Sequence, residues 1–344
     1  MGIIVAILLF SFIVIFHELG HFLLAKANKI RVNEFSLGLG PTIIGKKIGE
    51  TKFSLKLLPF GGACMMGEDD ADDMSEGSFN SKSVWARISV IIAGPMFNLI
   101  LAWILCFIMI LWIGYRAPVV YDVEEGYAAA EAGMQAGDVI TEINGRNVYL
   151  WEEISLYNQM NLNGEDLEIT YMRDGKETTI SLEPRMLEGD SYPRMGIMGE
   201  AERKQPGIFG SVQYGFYMVR YWVNYTFDSL KMLVTGQVGV KQLSGPVGIV
   251  SMVDQTYQQA AAVNIQSVIL SMMNFGILLT ANLGIMNLLP IPALDGGRLV
   301  FLVIEAVRGK RIPPDKEGFV HFIGFAALML LMVVVLFNDV MRLF

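Results

Sequence analysis

The chain has 344 residues, of which 53% are hydrophobic and only 17% are charged, and its mean hydropathy is positive. An ordinary soluble domain has about a quarter of its residues charged, so this composition argues against one. The net charge of −8 at pH 7 and the lack of any basic tract in the sequence argue against a nucleic-acid partner.

Four apolar stretches are long enough to cross a bilayer as helices. They are residues 3–25, 88–115, 260–294 and 319–337. A bilayer core of about 30 Å needs about 20 predominantly apolar helical residues. The sequence therefore predicts an integral membrane protein with four transmembrane helices and the lipid bilayer as its surroundings.

The first apolar stretch contains the sequence HELGH, in which His17, Glu18 and His21 are ionisable. Positions i and i+4 lie on one face of a helix, so both imidazoles point to the same place. That spacing is typical of two ligands of one zinc ion, with the glutamate as the general base of a metalloprotease. Ionisable groups inside a membrane helix are costly and rarely lack a function. The structural alternative is hydrogen bonding between helices.

Lys and Arg residues are dense in two segments, residues 26–87 and 298–316. The positive-inside rule places both segments on the cytoplasmic side, and the long middle segment and both chain termini outside. Cys64 then falls in a cytoplasmic loop and Cys106 in the second helix, so no disulfide is expected between them.

The middle segment has the pattern of a small α/β domain, which we place at residues 116–186. Two β-branched runs flank Asp174-Gly175, a strong signal for a two-residue hairpin turn. The pattern resembles a bacterial-type PDZ domain, in which Gly126, Tyr127 and Ala128 would correspond to the peptide-binding loop. PDZ domains bind extended peptides by adding a strand to a sheet edge. A spacer or steric cap without peptide affinity is the alternative.

Residues 187–259 are predicted to be a linker region with an amphipathic helix on the outer membrane surface. Aromatic residues recur with polar ones between them at residues 207–234, as in helices that lie at headgroup level. A fifth transmembrane helix is the alternative. It would invert the sidedness of everything that follows and separate the two halves of the proposed site.

A catalytic zinc ion has three protein ligands and one open position, so a third ligand must come from elsewhere in the chain. Pro290 and Pro292 interrupt the third apolar stretch just before Asp295. Non-helical backbone at membrane depth is tolerated where it is buried or lines a wet cavity, which favours Asp295 as the ligand. His321 in the fourth stretch is the other candidate, and a helix-end cap is the structural alternative for Asp295.

Two motifs together, HELGH and NLLPIPALDGG at residues 287–297, resemble the site-2 protease family of intramembrane zinc metalloproteases. AGPMFN at residues 93–98 and LSGPVGI at residues 243–249 resemble further motifs of that family. A single PDZ-like domain is similar to the bacterial branch that includes the RseP, RasP and Eep proteins, although RseP has two. The resemblance covers almost the whole chain.

The resemblance implies that His17, His21 and Asp295 bind one zinc ion and that Glu18 activates a water molecule. It implies regulated intramembrane proteolysis, in which a peptide bond is cut within the transmembrane segment of a membrane protein or a remnant signal peptide. Another protease would make a first cut in some substrates. The implied substrate-binding residues are Asn287, Pro290, Pro292 and Asn98. The active site would face the cytoplasmic side of a bacterial cell membrane.

In this family the region that corresponds to residues 45–67 is a β-hairpin that re-enters the membrane. An edge strand there would capture an unwound substrate by β-pairing, because the amides of a helical substrate are shielded. The predicted edge consists of Phe53, Ser54, Leu55, Lys56 and Leu57. An ordinary surface hairpin is the alternative, because lysines commonly blunt exposed edges and Lys52 and Lys56 lie here.

The predicted fold class is a polytopic α-helical membrane protein with an inserted α/β PDZ-like domain and a membrane-associated β-hairpin. Its parts are residues 1–115, the PDZ-like domain, the linker region and residues 260–344. Two other functions stay open: a catalytically silent membrane scaffold with a PDZ domain, and a metal transporter. A damaged HExxH motif would mark the scaffold and repeated halves would mark the transporter, and the sequence shows neither.

Overall fold

A computed structural model describes residues 1–67, 73–239 and 242–342 of the chain. The helices are α1 (Gly2–Ala27), α2 (Val84–Ile113), α3 (Ala128–Glu131), α4 (Trp151–Met160), α5 (Gly207–Val234), α6 (Pro246–Ala261), α7 (Ile265–Leu288), α8 (Asp295–Arg308) and α9 (Pro314–Met341). The strands are β1 (Glu34–Ile48), β2 (Thr51–Met65), β3 (Val120–Val123), β4 (Val139–Ile143), β5 (Arg146–Asn147), β6 (Leu167–Arg173), β7 (Lys176–Leu182) and β8 (Ile197–Gly199). The chain divides into two compact units, Met1–Ala102 with Val240–Phe344, and Trp103–Gly239.

Among the described residues, helices α1, α2, α7 and α9 are long and apolar enough to cross a bilayer, which confirms the four predicted transmembrane helices. The third is shorter than predicted, because Pro290 and Pro292 cannot continue it and α7 ends at Leu288. The chain resumes helical structure at Asp295, the first residue of α8.

Glycines let the membrane helices of the first unit approach closely. A Cβ built at Gly20 of α1 would lie 2.4 Å from the carbonyl oxygen of Ala93 in α2. A Cβ built at Gly284 of α7 would lie 3.0 Å from the carbonyl oxygen of Pro95, also in α2. Small residues at helix crossings are a common solution in membranes, where apolar packing gains little from burial alone. The two contacts hold α1 and α7 against α2.

Strands β1 and β2 form a sheet in the first unit. Both strands bend, so the first half of β2 lies between the two halves of β1. The first half of β2 has partners in both halves of β1: Phe53 faces Phe35 and Lys46, Ser54 faces Ser36 and Gly45, and Leu55 faces Leu37 and Ile44. The bend in β1 lies at Gly38 and Gly40, whose φ angles of 84° and 89° suit glycine. The predicted free edge is therefore wrong for Phe53, Ser54 and Leu55, which are flanked on both sides, whereas Lys56 faces Thr42 alone.

An open edge lies further along β2. Gly62 and Cys64 face Leu37 and Phe35, and no second strand lies beside them in the described ranges. The Met65 carbonyl accepts a hydrogen bond from the Asn33 N–H at 2.8 Å, on the side of β1. Peptide groups alternate along a strand, so those of Cys64 point to the other side. This second half of β2, residues 62–65, is called the open edge below.

The second unit contains the predicted PDZ-like domain, with a sheet in the order β5-β4-β6-β7 and a separate pair of β3 with β8. The predicted hairpin turn joins β6 and β7, and Asp174 and Gly175 have the positive φ angles that such a turn requires. The domain extends beyond the predicted boundary at residue 186. Strand β8 pairs with β3, and Met195 and Ile197 are buried in the core of the domain.

The predicted linker region is divided between the two units, because α5 belongs to the second and α6 to the first. Helix α5 is not among the candidate membrane spans of the described chain, so the alternative of a fifth transmembrane helix gains no support. One face of α5 packs on the PDZ-like domain, where Tyr217 stacks on Tyr149 at 3.9 Å between ring centroids. Phe209 and Phe227 of the same helix are exposed, and its place at the membrane surface stays a prediction.

Candidate metal centre

The structure brings together the side chains of His17, His21 and Asp295. The two Nε2 atoms are 3.1 Å apart, and Asp295 Oδ2 lies 3.2 Å from His17 Nε2 and 3.5 Å from His21 Nε2. Both histidines are buried and belong to α1, whereas Asp295 begins α8. Two imidazole nitrogens and one carboxylate oxygen are a donor set that suits zinc, with a fourth position left for water or substrate.

The imidazole of His21 is oriented by the backbone of α2. Its Nδ1 lies 2.8 Å from the Val90 carbonyl oxygen, which accepts a hydrogen bond from Nδ1–H. This bond leaves the lone pair on Nε2, the atom that faces His17 and Asp295. Metal-binding histidines characteristically donate their other ring N–H to such an acceptor.

Gly94 of α2 makes room for both imidazoles. A Cβ at this position would lie 2.2 Å from His21 Nε2 and 2.8 Å from His17 Cε1. These distances are far below van der Waals contact, so a side chain here would displace the rings. The glycine of the AGPMFN motif is therefore part of the cradle of the site, a role that its sequence pattern alone did not reveal.

Asp295 is delivered by a tight turn that the two following glycines permit. A Cβ at Gly296 would lie 2.1 Å from the Leu289 carbonyl oxygen, and one at Gly297 would lie 2.4 Å from the Ile291 carbonyl oxygen. The first turn of α8 thus rests directly on the backbone of the non-helical segment before it. The predicted break of the third apolar stretch accordingly does carry the carboxylate to the two histidines.

A cavity of about 500 Å³ adjoins these three residues and is also lined by Glu18 and by residues 62–67. The Cys64 backbone N–H donates a hydrogen bond to the Glu18 carboxylate. Gly62 lies so near that a Cβ there would be 3.2 Å from Glu18 Cγ. The open edge of β2 and the predicted general base therefore face the same cavity.

Asn98 is fully buried and lies behind His17 instead of lining the cavity. Its amide Nδ2 is 3.2 Å from His17 Nδ1, and its backbone carbonyl accepts a hydrogen bond from Thr280 Oγ1 at 3.1 Å. The Oδ1 atom of Asn98 is buried without a hydrogen-bond partner. Asn98 thus contacts a predicted zinc ligand, and its predicted contact with substrate stays a prediction.

The other predicted substrate-binding residues lie around the break between α7 and α8. Asn287 is half-buried in the last turn of α7, and Pro290 is exposed. Pro292 packs against α9, where a Cβ at Gly324 would lie 2.3 Å from Pro292 Cβ. The cavity-lining residues of this segment are Ala293 and Leu294. Substrate binding by Asn287 and the two prolines stays a prediction.

The predicted peptide-binding loop of the PDZ-like domain is covered by a later segment of the chain. Tyr127 and Ala128 are buried, and only Gly126 is exposed. The Tyr127 hydroxyl donates to Asp190 Oδ2 at 2.7 Å, and the Arg194 guanidinium lies 5.2 Å from the centre of its ring. Tyr127 therefore anchors the segment that leads into β8, and peptide binding by Gly126, Tyr127 and Ala128 stays a prediction.

Comparisons with known proteins match nearly the whole chain. The profile described as Peptidase family M50 matches residues 5–331. A relative from Clostridium acetobutylicum, named as a candidate zinc metalloprotease, is 38% identical over 98% of this chain and 97% of its own. Regulator of sigma-W protease RasP of Bacillus subtilis is 34% identical over 98% of each chain. A solved PDZ domain of an SdrC-like protein of Listeria monocytogenes matches 26% of this chain and 88% of its own, with 25% identity and a TM-score of 0.22.

Proposed function

The chain belongs to Peptidase family M50, and we propose that it works as an intramembrane zinc metalloprotease with His17, His21 and Asp295 as its zinc ligands. Family membership agrees with the predicted resemblance to site-2 proteases. The observation that carries the ligand assignment is the convergence of three ligand atoms, all within 4.8 Å of one another, from α1 and α8. A catalytically silent scaffold would leave this convergence of ionisable groups without a role.

Bound zinc acts as a Lewis acid that polarises a carbonyl group and makes water a stronger nucleophile at neutral pH. The chain itself contributes the orientation of the ligands. With Nε2 of His17 used for the metal, the ring proton is on Nδ1, and a neighbouring acceptor would fix this tautomer. Asn98 Oδ1, which is buried without a partner, becomes that acceptor when the amide turns toward the ring. The proposed role of Asn98 is therefore to orient His17.

Glu18 is the proposed general base. Its carboxylate takes a proton from the attacking water as the new C–O bond forms, and gives it to the leaving nitrogen as the C–N bond breaks. The Cys64 N–H holds this carboxylate at the cavity from the side of the open edge. The base and the strand that would bind the substrate are thus linked by one hydrogen bond.

The proposed substrates are transmembrane segments of membrane proteins or remnant signal peptides, in some cases after a first cut by another protease. An extended substrate would pair with the open edge of β2 through the Gly62 backbone and the Cys64 carbonyl, because the Cys64 N–H already donates to Glu18 and the edge lines the cavity. Such pairing would hold the scissile bond in an unwound form next to the ligands. This proposal moves the substrate strand from Phe53–Leu57 to residues 62–65.

The proposed topology follows the density of Lys and Arg in residues 26–87 and 298–316. Both segments would be cytoplasmic, with the PDZ-like domain on the opposite side of a bacterial cell membrane. The site would then cut near the cytoplasmic end of its substrate. This sidedness can be tested by replacing exposed Lys47 or exposed Lys176 with cysteine in a variant that lacks Cys64 and Cys106. A membrane-impermeant thiol reagent added outside the cell should then label the cysteine at position 176 and not the one at position 47.

The function is tested by cleavage of a defined transmembrane substrate by the purified protein in lipid vesicles. Glu18→Gln is expected to abolish cleavage while zinc remains bound at one ion per chain, because Glu18 is not a ligand. Glu50→Gln, a change at an exposed glutamate paired with Lys26, is the matched control and should cleave normally. Cleavage that persists in Glu18→Gln or in the presence of a zinc chelator would refute the mechanism.

A further inference from the structure

Helix α9 touches the segment that carries Asp295 at two positions, one turn apart. His321 Nδ1 accepts a hydrogen bond from the Ala293 N–H at 2.9 Å. At Gly324, a Cβ would lie 2.7 Å from the Pro292 carbonyl oxygen, so the two backbones are in direct contact. Residues three apart lie on one face of a helix. This face of α9 is therefore packed on the break between α7 and α8.

The backbone hydrogen bonds of the break show why the contact at His321 matters. The Ile291 N–H donates to the Leu289 carbonyl at 2.7 Å, and the Leu294 N–H donates to the Ile291 carbonyl at 3.2 Å. Pro290 and Pro292 have no backbone N–H and so need no acceptor. The Ala293 N–H is thus the one amide between residues 290 and 294 that bonds outside the break, and its acceptor is His321.

Ala293 also has an unusual backbone conformation, with φ at 75°. This left-handed region is uncommon for residues other than glycine, and such a conformation persists only where the surroundings impose it. The hydrogen bond to His321 is one such constraint. The ring of His321 also packs on Phe301 of α8, at 5.4 Å between ring centroids. His321 thus contacts the chain on both sides of Asp295.

We propose that His321 is a positioning residue for the metal centre: it holds the Ala293 backbone and so fixes the Asp295 carboxylate beside the two imidazoles. In the sequence, His321 is the other candidate for the third zinc ligand. In the structure its Nδ1 accepts the Ala293 N–H, and it does not belong to the group of ligand atoms formed by His17, His21 and Asp295. The proposal rests on the proposed role of Asp295 as a zinc ligand. It assigns the fourth transmembrane helix a part in forming the site.

The test uses two variants of the full chain in lipid nanodiscs. His321→Phe keeps an aromatic ring against Phe301 but removes the acceptor, and a membrane helix tolerates phenylalanine. His321→Gln restores an acceptor through its side-chain oxygen. Phe319→Leu, at an exposed position on the same helix, is the control for a change of apolar side chain.

The first readout is amide hydrogen exchange of the peptide that covers residues 288–297 in the metal-free protein. Loss of one hydrogen bond is expected to speed exchange there about tenfold in His321→Phe, with recovery in His321→Gln and no change in Phe319→Leu. The second readout is zinc affinity by competition with a chelator. We expect a loss of about 10- to 100-fold in His321→Phe, the usual effect of removing a support of a metal ligand, again with recovery in His321→Gln.

Unchanged exchange in His321→Phe would overturn the proposal, and so would faster exchange with wild-type zinc affinity. Equal losses in His321→Phe and His321→Gln would indicate a packing role only and would also overturn it. A failure of the proposed function would be seen separately. In that case Asp295→Ala would bind zinc as tightly as the wild type, while the exchange comparison would still decide whether His321 orders the break.

Discussion

Gly94 offers a direct test of the ligand geometry, because the predicted effect depends on space alone. In Gly94→Ala the new Cβ would lie 2.2 Å from His21 Nε2 and 2.8 Å from His17 Cε1. Ordinary contacts between such atoms are about 3.5 Å, so the rings must retreat by about 1 Å or α2 must move away from α1. Metal–ligand distances in a well-formed site lie within about 0.2 Å of their standard values.

We therefore expect Gly94→Ala to lower zinc affinity at least about 100-fold, the upper end of effects seen when supporting residues of a metal site are changed. The assay is zinc per chain by elemental analysis, followed by competition with a chelator to obtain the affinity. Folding is followed separately by the thermal unfolding of the metal-free protein in nanodiscs.

Gly318→Ala is the matched control, since a Cβ at this helical glycine of α9 meets no atom within 4 Å. It should bind zinc normally and be as stable as the wild type or slightly more so, because alanine favours helix. Wild-type zinc affinity in Gly94→Ala would refute the reasoning, because it would mean that the imidazoles do not bind a metal in the arrangement described.

Three further predictions follow from the described contacts. Asn98→Ala should weaken zinc binding about 10- to 100-fold while Asn98→Asp keeps it, measured by chelator competition; equal affinities in both variants would contradict the orienting role. The position of the substrate strand can be tested by crosslinking in an inactive variant with Glu18→Gln, Cys64→Ser and Cys106→Ser. In this variant, Ala63→Cys should form a disulfide with a cysteine near the cleavage site of the substrate, because cross-strand Cβ atoms lie about 5 Å apart. Crosslinking from Leu55→Cys instead would show that the substrate pairs with residues 53–57. Burial alone would raise the pKa of Asp138, but the Arg173 guanidinium, at 2.6 Å, holds it below its ordinary value. The stability due to Asp138 is then present above its unfolded pKa of about 3.9 and lost as pH falls through the lower folded value. As the pH falls, amide hydrogen exchange of β4 and β6 should therefore speed up less in Asp138→Asn than in the wild type. The same acid dependence in both proteins would argue against a stabilising Asp138–Arg173 pair.

Local spacing was enough to predict the centre of the site. His17 and His21 are one helical turn apart, and the break at Pro290 and Pro292 marks the place where Asp295 leaves the apolar stretch. Which glycine faces the imidazoles was not predictable, because it depends on how α2 is rotated against α1. The same is true of Asn98, whose contact with His17 crosses between two helices.

The errors in the prediction come from contacts between distant residues. Alternation along residues 53–57 indicates a strand but does not tell how many neighbours it has, and the bend at Gly38 and Gly40 supplies a second one. Strand β8 is only three residues long and follows an irregular segment, so its pattern gave no signal that the PDZ-like domain continues past residue 186.

The separation of the ligands in the chain has a consequence for biosynthesis. The ribosome delivers α1, with both histidines and Glu18, to the membrane early, when Asp295 has not yet been made. A half-assembled chain therefore holds two imidazoles and a carboxylate base but lacks the third ligand that would complete a zinc site. With the proposed ligand set, the metal site can form only after α7 has been inserted and α8 has followed it.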